Sequence, residues 1–269
     1  MLTSYKTYRR LISIRIRGQM QYRTAFLFDV LATAFITTIE FGSLALIFQR
    51  FQNIAGWTLA EVAFLYGMIA VAFGTMDMLF SGFDPQFFGQ QVRRGSFDQL
   101  LLRPVDITVQ VFGSEFIMRR LGRIIQGLTI FIFALIMLEL QWTAGKVLYL
   151  PVVYISQVLF FGGLFIIGAT ISFWTVESLE AVNIFTYGGN EMMSYPMHIY
   201  PTWMVRFFTF IIPAIFMNYF PALYFMDKPD PFNMPPIVHF MAPIAGLSVM
   251  LVALVFWRYG IRHYQSTGT

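Results

Sequence analysis

Six apolar stretches, each near the length a bilayer demands, constrain this chain more than anything else in it. Crossing the hydrocarbon core takes about 20 residues of helix. Thr24–Phe48, Leu59–Ser81, Leu121–Leu140, Val147–Trp174 and Pro236–Trp257 meet that length, and a further stretch, Trp203–Phe225, is interrupted by Pro213 and Pro221. Only 12% of the 269 residues are charged, against about a quarter in an ordinary soluble domain. The pattern predicts an all-α polytopic membrane protein with six transmembrane helices in a single domain over residues 1–269. The spans use up nearly the whole length, so no soluble catalytic or nucleotide-binding domain is expected. The chain has no cysteine, which excludes disulfides and cysteine–metal sites.

About 23 polar and basic residues precede the first span, and that span is too long for the apolar core of a cleavable signal. Within this segment, residues 4–22 carry the pattern of an interfacial helix. Tyr5, Tyr8, Ile12, Ile16 and Met20 recur at spacings of three and four, while Lys6, Arg9, Arg10, Arg15 and Arg17 occupy the rest of the surface. Such a basic amphipathic helix lies in the headgroup region.

The one substantial polar connection in the middle of the chain is Phe83–Asp106. Its own punctuation divides it. Pro85 suits the first turn of a short helix and Gly95 its C-terminal stop. Ser96 followed by Gln99 has the spacing of a capping box opening a second helix, and Arg103-Pro104 ends it. Apolar faces (Phe87, Phe88 and Val92; Phe97, Leu100 and Leu101) with basic edges suit helices that lie on a membrane and face a soluble partner. The plainer alternative is an interhelical loop with a solvated charge run.

The fifth crossing is ambiguous. Hydropathy favours 203–225, yet 179–195 can cross as a short polar span ended by Pro196, with 202–226 then forming a hairpin that dips into the outer leaflet. Broken backbone at membrane depth requires cover from protein or a cavity. Both topologies leave the termini on one side. Six Lys and Arg between Lys6 and Arg23, together with Arg93, Arg94, Arg103, Arg119, Arg120, Arg123, Arg258 and Arg262, lie on that side; Arg50, Lys146 and Lys228 lie opposite. The positive-inside rule therefore predicts cytoplasmic termini and a cytoplasmic 83–106 loop. The net charge of +4 accordingly points to anionic lipid and not to nucleic acid.

Recognisable catalytic chemistry is missing from the sequence. It contains no G-x-x-x-x-G-K-[ST], H-E-x-x-H or G-x-S-x-G motif, and His198, His239 and His263 are isolated. No catalytic, cofactor or metal residue is expected. Three acids fall within spans: Asp29, Glu40 and Asp77. Buried ionisable groups in a membrane face protein or water, so Glu40 and Asp77 are either a cation or proton site or structural partners of arginines. Asp29 reads as a headgroup-level residue. Gly67, Ala70, Gly74, Asp77 and Ser81 share one helix face, a small-residue stripe suited to close helix packing within the chain or between chains. A Met- and Phe-rich set (Met192, Met193, Phe207, Phe208, Phe210, Phe216) suits core or lipid contact.

A series of short motifs runs along the chain: Gln21-Tyr22-Arg23, Gly56-Trp57-Thr58-Leu59, the 83–106 loop with Arg94-Gly95-Ser96-Phe97-Asp98-Gln99-Leu100-Leu101-Leu102-Arg103-Pro104, Phe173-Trp174-Thr175-Val176-Glu177-Ser178, Tyr195-Pro196-Met197-His198, Tyr219-Phe220-Pro221-Ala222 and Arg262-His263-Tyr264-Gln265-Ser266-Thr267-Gly268. Their order and spacing resemble the ABC-2 family of ABC transporter permeases, in particular a bacterial subgroup of type V exporter-like fold. The resemblance implies a permease in the bacterial cytoplasmic membrane that pairs with a second permease chain, the same or related, and docks on two copies of an ATPase subunit. That partner binds the ATP, so the chain needs no cofactor of its own. The resemblance places the coupling contact in 83–106, through Phe88, Arg93, Arg94, Phe97, Asp98, Leu101 and Arg103, with a second contact at Glu177 and Glu180. Glu40, Gly67, Gly74 and Asp77, singled out above by their charge and small-residue spacing, are the candidates for a translocation path or an interface, and the resemblance favours 179–195 as the fifth span. The implied activity is export of a hydrophobic or amphipathic substrate such as a drug, a lipid or a lipid-linked molecule. The rival is an ion-coupled secondary transporter using Glu40 and Asp77; it is disfavoured because the halves 1–135 and 136–269 show no inverted repeat.

Overall fold

The computed structural model describes residues 2–51, 53–175 and 180–266. They form twelve α-helices: α1 (Leu2–Gln21), α2 (Arg23–Arg50), α3 (Leu59–Leu79), α4 (Pro85–Arg93), α5 (Ser96–Leu101), α6 (Ile107–Ser114), α7 (Leu121–Leu138), α8 (Ala144–Ile171), α9 (Glu180–Met193), α10 (Thr202–Phe210), α11 (Tyr219–Phe225) and α12 (Ala242–His263). Short 3-10 turns link several of them, and the described residues contain no strand. Five helices (α2, α3, α7 with the turn before it, α8 and α12) are long and apolar enough to span a membrane. The pair α10–α11 is a sixth candidate bent by 80°. The protein is therefore an all-α, multi-pass membrane protein.

α3 is the centre of the bundle. Its hydrophobic residues face protein all round, and Val62, Phe64, Leu65, Ile69, Phe73 and Met76 are all buried. A helix apolar on every side must be wrapped by others. Its start is fixed locally, because Thr58 accepts from the Glu61 amide while the Glu61 side chain accepts from the Thr58 amide at 2.7 Å, a complete capping box. Gly67 lets α7 approach, since a Cβ there would lie 2.7 Å from the Phe131 backbone. The small-residue stripe is thus an intramolecular seam between α3 and α7. By contrast α2 leaves Leu27, Phe28, Leu31, Phe35, Ile36 and Ile39 exposed, the surface a helix bordering lipid or a second chain presents.

Ile211 at the bend between α10 and α11 is 69% exposed, but the segment that follows it, from Ala214 to Asn218, packs into protein. Asn218, fully buried at the N-terminus of α11, donates to Leu65 O of α3 (3.0 Å) and Met193 O at the end of α9 (2.7 Å). Gln157 of α8 donates to Asn218 Oδ1 (3.2 Å) and to Met217 O (2.9 Å). One amide thus fastens the bent segment to three helices and satisfies backbone carbonyls that hydrocarbon would leave costly. α9 has 14 residues, about 21 Å at 1.5 Å per residue, shorter than a full crossing. Met192, Met193 and Phe208 are core, whereas Phe210 is 76% exposed.

Two boundaries differ from expectation. Ser96 does not cap α5: Gly95 is the N-cap, and Ser96 Oγ donates back to Gln91 O at 3.0 Å, closing the turn onto α4. The last span begins at Ala242, since 236–240 is a 3-10 turn after Pro235, and it runs on to His263. Pro243 in the first turn of α12 has no amide to donate and its ring crowds the carbonyl four residues back, so the helix cannot continue backward through His239. The basic Arg258 and Arg262 are accommodated at its end because long cationic side chains reach toward the interface.

Asn218→Leu should lower the thermal midpoint of the detergent-solubilised protein, at a cost of about 2–3 kcal/mol from stranded buried partners. An unchanged midpoint would show that the bend does not depend on this amide.

Candidate functional site

The 83–106 connection forms two short helices wedged against the end of the bundle. Asp84 caps α4, its Oδ1 accepting from the Gln86 (2.9 Å) and Phe87 (3.2 Å) amides, with Pro85 in the first turn. Gly95 joins the helices at φ 65°, a left-handed conformation that suits glycine. The chain then turns into α6, where Gln110 donates to Leu100 O (3.0 Å) and Val105 O (2.9 Å).

The apolar faces of α4 and α5 pack on protein through Phe88, Val92 and Phe97, whereas Leu101, expected on the same face, is exposed. Phe88 and Phe97 are fully buried, with ring centroids 5.4 Å apart. Phe88 lies 5.4 Å from Trp257 of α12, and Phe97 5.1 Å from Phe173 just after α8. Phe173 stacks on Trp257 at 5.5 Å, and Tyr264 closes the group at 4.9 Å from Phe97. Trp257 also donates through Nε1 to Thr108 of α6 at 3.1 Å. Edge-on and stacked ring pairs each add about 1 kcal/mol beyond burial, so α4 and α5 are joined to the ends of α8 and α12 by a continuous aromatic layer.

The opposite face is open. Arg93, Arg94 and Arg103 are exposed, as are Leu101 (40%) and Leu102 (86%). Asp98 turns inward: its Oδ2 accepts from Ser266 Oγ at 2.6 Å, and burial followed by the neighbouring Asp98 pushes the Tyr264 hydroxyl up to about 12. Glu177 lies outside the described residues. Glu180 opens α9.

The acids within the spans occupy separate surroundings. Asp77, 1% exposed, lies with Oδ2 2.8 Å from Arg120 Nε at the α3–α7 seam, where Gly74 abuts Ile124. Nearby, the Tyr187 hydroxyl of α9 donates to Asp84 Oδ2 at 3.1 Å, tying α9 to the cap of α4. Glu40 instead is exposed on α2 and interacts electrostatically with Glu191 and Arg123. Arg123 pairs with Glu191 at 3.5 Å and lies 4.9 Å over the Phe73 ring. Asp77 and Glu40 therefore do not share one cation site, and no group of three or more His, Cys, Asp or Glu suited to a metal occurs among the described residues.

A family model described as ABC-2 family transporter protein matches residues 34–268. The chain belongs to the ABC-2 transporter family. No curated protein and no solved structure matches it. In this ABC-2 permease the elements singled out from sequence divide into two sets: Phe88 and Phe97 anchor the short helices from beneath, while Arg93, Arg94, Leu101 and Arg103 form the surface a partner can reach. Sequence reasoning did not find Trp257, Tyr187 or the inward contact of Ser266. Of the ending 262–268, Tyr264 and Ser266 lie against Phe97 and Asp98 of α5, a contact that only the fold brings about.

Removing one member of a buried ion pair leaves its partner uncompensated. Asp77→Asn should therefore destabilise the permease by about 3 kcal/mol, and Asp77→Asn with Arg120→Gln should cost less than the two single changes summed. Additive losses in thermal midpoint would contradict the pairing.

Proposed function

We propose that this ABC-2 permease is the membrane subunit of an ATP-driven exporter in the bacterial cytoplasmic membrane, with both termini and α4–α5 in the cytoplasm. A separate ATPase subunit, present in two copies, docks on the exposed face of α4 and α5. ATP binding closes the ATPase dimer, and the push on the short helices passes through the aromatic layer to α8 and α12. The spans then rearrange as rigid bodies and move a hydrophobic or amphipathic substrate outward. The permease itself supplies no covalent chemistry and no cofactor site. The observation that carries this proposal is the two-sidedness of α4–α5: a basic, exposed face over an aromatic face locked into the bundle.

Pairing with a second permease chain, the same or related, fits the charge on α2. Glu40 lies 17 residues into that helix, about 26 Å along its axis, and is exposed. An ionisable side chain at such a position needs protein or water around it. A second chain packed across α2 and the Arg123–Glu191 pair supplies both, enclosing a charged path between the two copies.

Arg93→Glu with Arg94→Glu should abolish co-purification of the ATPase subunit while leaving the permease's thermal midpoint within about 2 °C of the parent, as exposed substitutions do. Intact assembly together with intact ATPase stimulation would refute the placement of the docking face. Transport by the permease alone would refute the proposed function itself.

A further inference from the structure

A cavity of about 590 Å³ lies where α1, α2 and the segment before α7 meet. Its framework is fixed by Gln19 of α1, whose Nε2 donates to Phe116 O and whose Oε1 accepts from the Met118 amide at 3.0 Å. Farther along α1, Leu11 packs at Gly113 of α6. Four charged side chains line the cavity: Arg15, Asp29, Glu115 and Arg119. Arg15 and Glu115 face each other at 3.4 Å and neutralise one another. Asp29 and Arg119 are exposed, and neither makes an ion pair among the described residues; the arginine that pairs with Asp77 is Arg120. Phe26 and Ile117 supply apolar wall beside these charges.

The depth of the cavity suits a lipid headgroup. Asp29 is six residues into α2, about 9 Å along the helix axis, which puts it near the inner edge of a polar region roughly 5–8 Å thick. One open carboxylate and one open guanidinium, beside apolar wall, match a ligand with a positive and a negative group on one short headgroup and a hydrocarbon body. An anionic headgroup would leave Asp29 unpaired, and a simple cation would leave Arg119 unpaired. Arginine recognises phosphate through paired N–H donors, and a carboxylate accepts from a primary ammonium, whose N–H groups a quaternary ammonium lacks.

We infer that this cavity binds the headgroup of a zwitterionic phospholipid bearing a primary amine, its phosphate on Arg119 and its ammonium on Asp29, in the leaflet on the terminus-bearing side. The bound lipid completes the elbow between α1 and α2 and holds the amphipathic helix against the membrane. The site does not depend on the export activity and is separate from the Glu40 region.

The test is native mass spectrometry of the purified full-length complex exchanged into equimolar phosphatidylethanolamine, phosphatidylcholine and phosphatidylglycerol. The expected result is one phosphatidylethanolamine retained per permease chain, favoured over the other two by roughly fivefold or more. Asp29→Asn should erase the preference over phosphatidylcholine without lowering total lipid retention, and Arg119→Gln should lower retention of all three. Both positions are exposed, and thermal midpoints of both variants verify that they fold. Equal retention of the three lipids, no retained lipid, or an Asp29→Asn protein that keeps the preference would overturn the inference. Soluble phosphoethanolamine binding as tightly as the lipid would overturn the lipid assignment.

Discussion

The ring layer formed by Phe88, Phe97, Phe173, Trp257 and Tyr264 is the contact on which the rest of the molecule depends. It joins four parts of the chain that otherwise end separately: the two short helices, the end of α8, the end of α12 and the tail after it. Without it, α4 and α5 would be a basic loop loosely hung between α3 and α6. With it, the exposed arginines sit on a platform whose underside is continuous with two membrane-spanning helices. Aromatic rings suit this role because they bury large area with few rotatable bonds, so packing fixes direction as well as distance. Interiors packed this tightly transmit displacement instead of absorbing it.

The polar interactions of the bundle follow a different rule. In hydrocarbon, an unsatisfied donor, acceptor or charge is costly, and several polar side chains of the bundle close junctions where helices break, begin or end. Asn218 and Gln157 hold the bend before α11. Asp77 and Arg120 meet where α7 begins, and Tyr187 reaches the cap of α4. On the opposite side of the bundle, Lys228 lies 2.7 Å from Glu61 and over the Trp57 ring, and His198 bridges Tyr219 and Ala55 O. Each of these residues closes a junction between parts of the bundle.

The all-α, multi-pass architecture was legible in the chain because it rests on length and hydropathy, which are local. The small-residue stripe of Gly67 and Gly74 was visible on one helix, but whether it packs within the chain or between chains was not; the fold seats it on α7. A structural arginine partner for Asp77 was one of the two roles open to that acid, and Arg120 fills it. The aromatic layer was not legible: Phe88 and Trp257 are 169 positions apart, and Phe is so frequent here that no single one stands out. Asn218 was hidden for a related reason, since an asparagine beside Tyr219 and Pro221 looks like ordinary turn chemistry until the fold brings α3, α8 and α9 around it. Ser96 had the spacing of a cap, but the turn between α4 and α5 runs through a left-handed residue at 95, which glycine adopts without strain, and that residue is the N-cap.

The central claim is that α4 and α5 move as one body with α12. Pulsed electron–electron resonance between spin labels at Leu102, exposed at the C-terminal end of α5, and Val255, exposed on α12, tests it in the assembled transporter. The account predicts that this distance stays constant to within about 2 Å between the nucleotide-free and ATP-bound states, the scale of small helix shifts, while distances from Leu102 to the second permease chain change. A larger change between Leu102 and Val255 on ATP binding would contradict it.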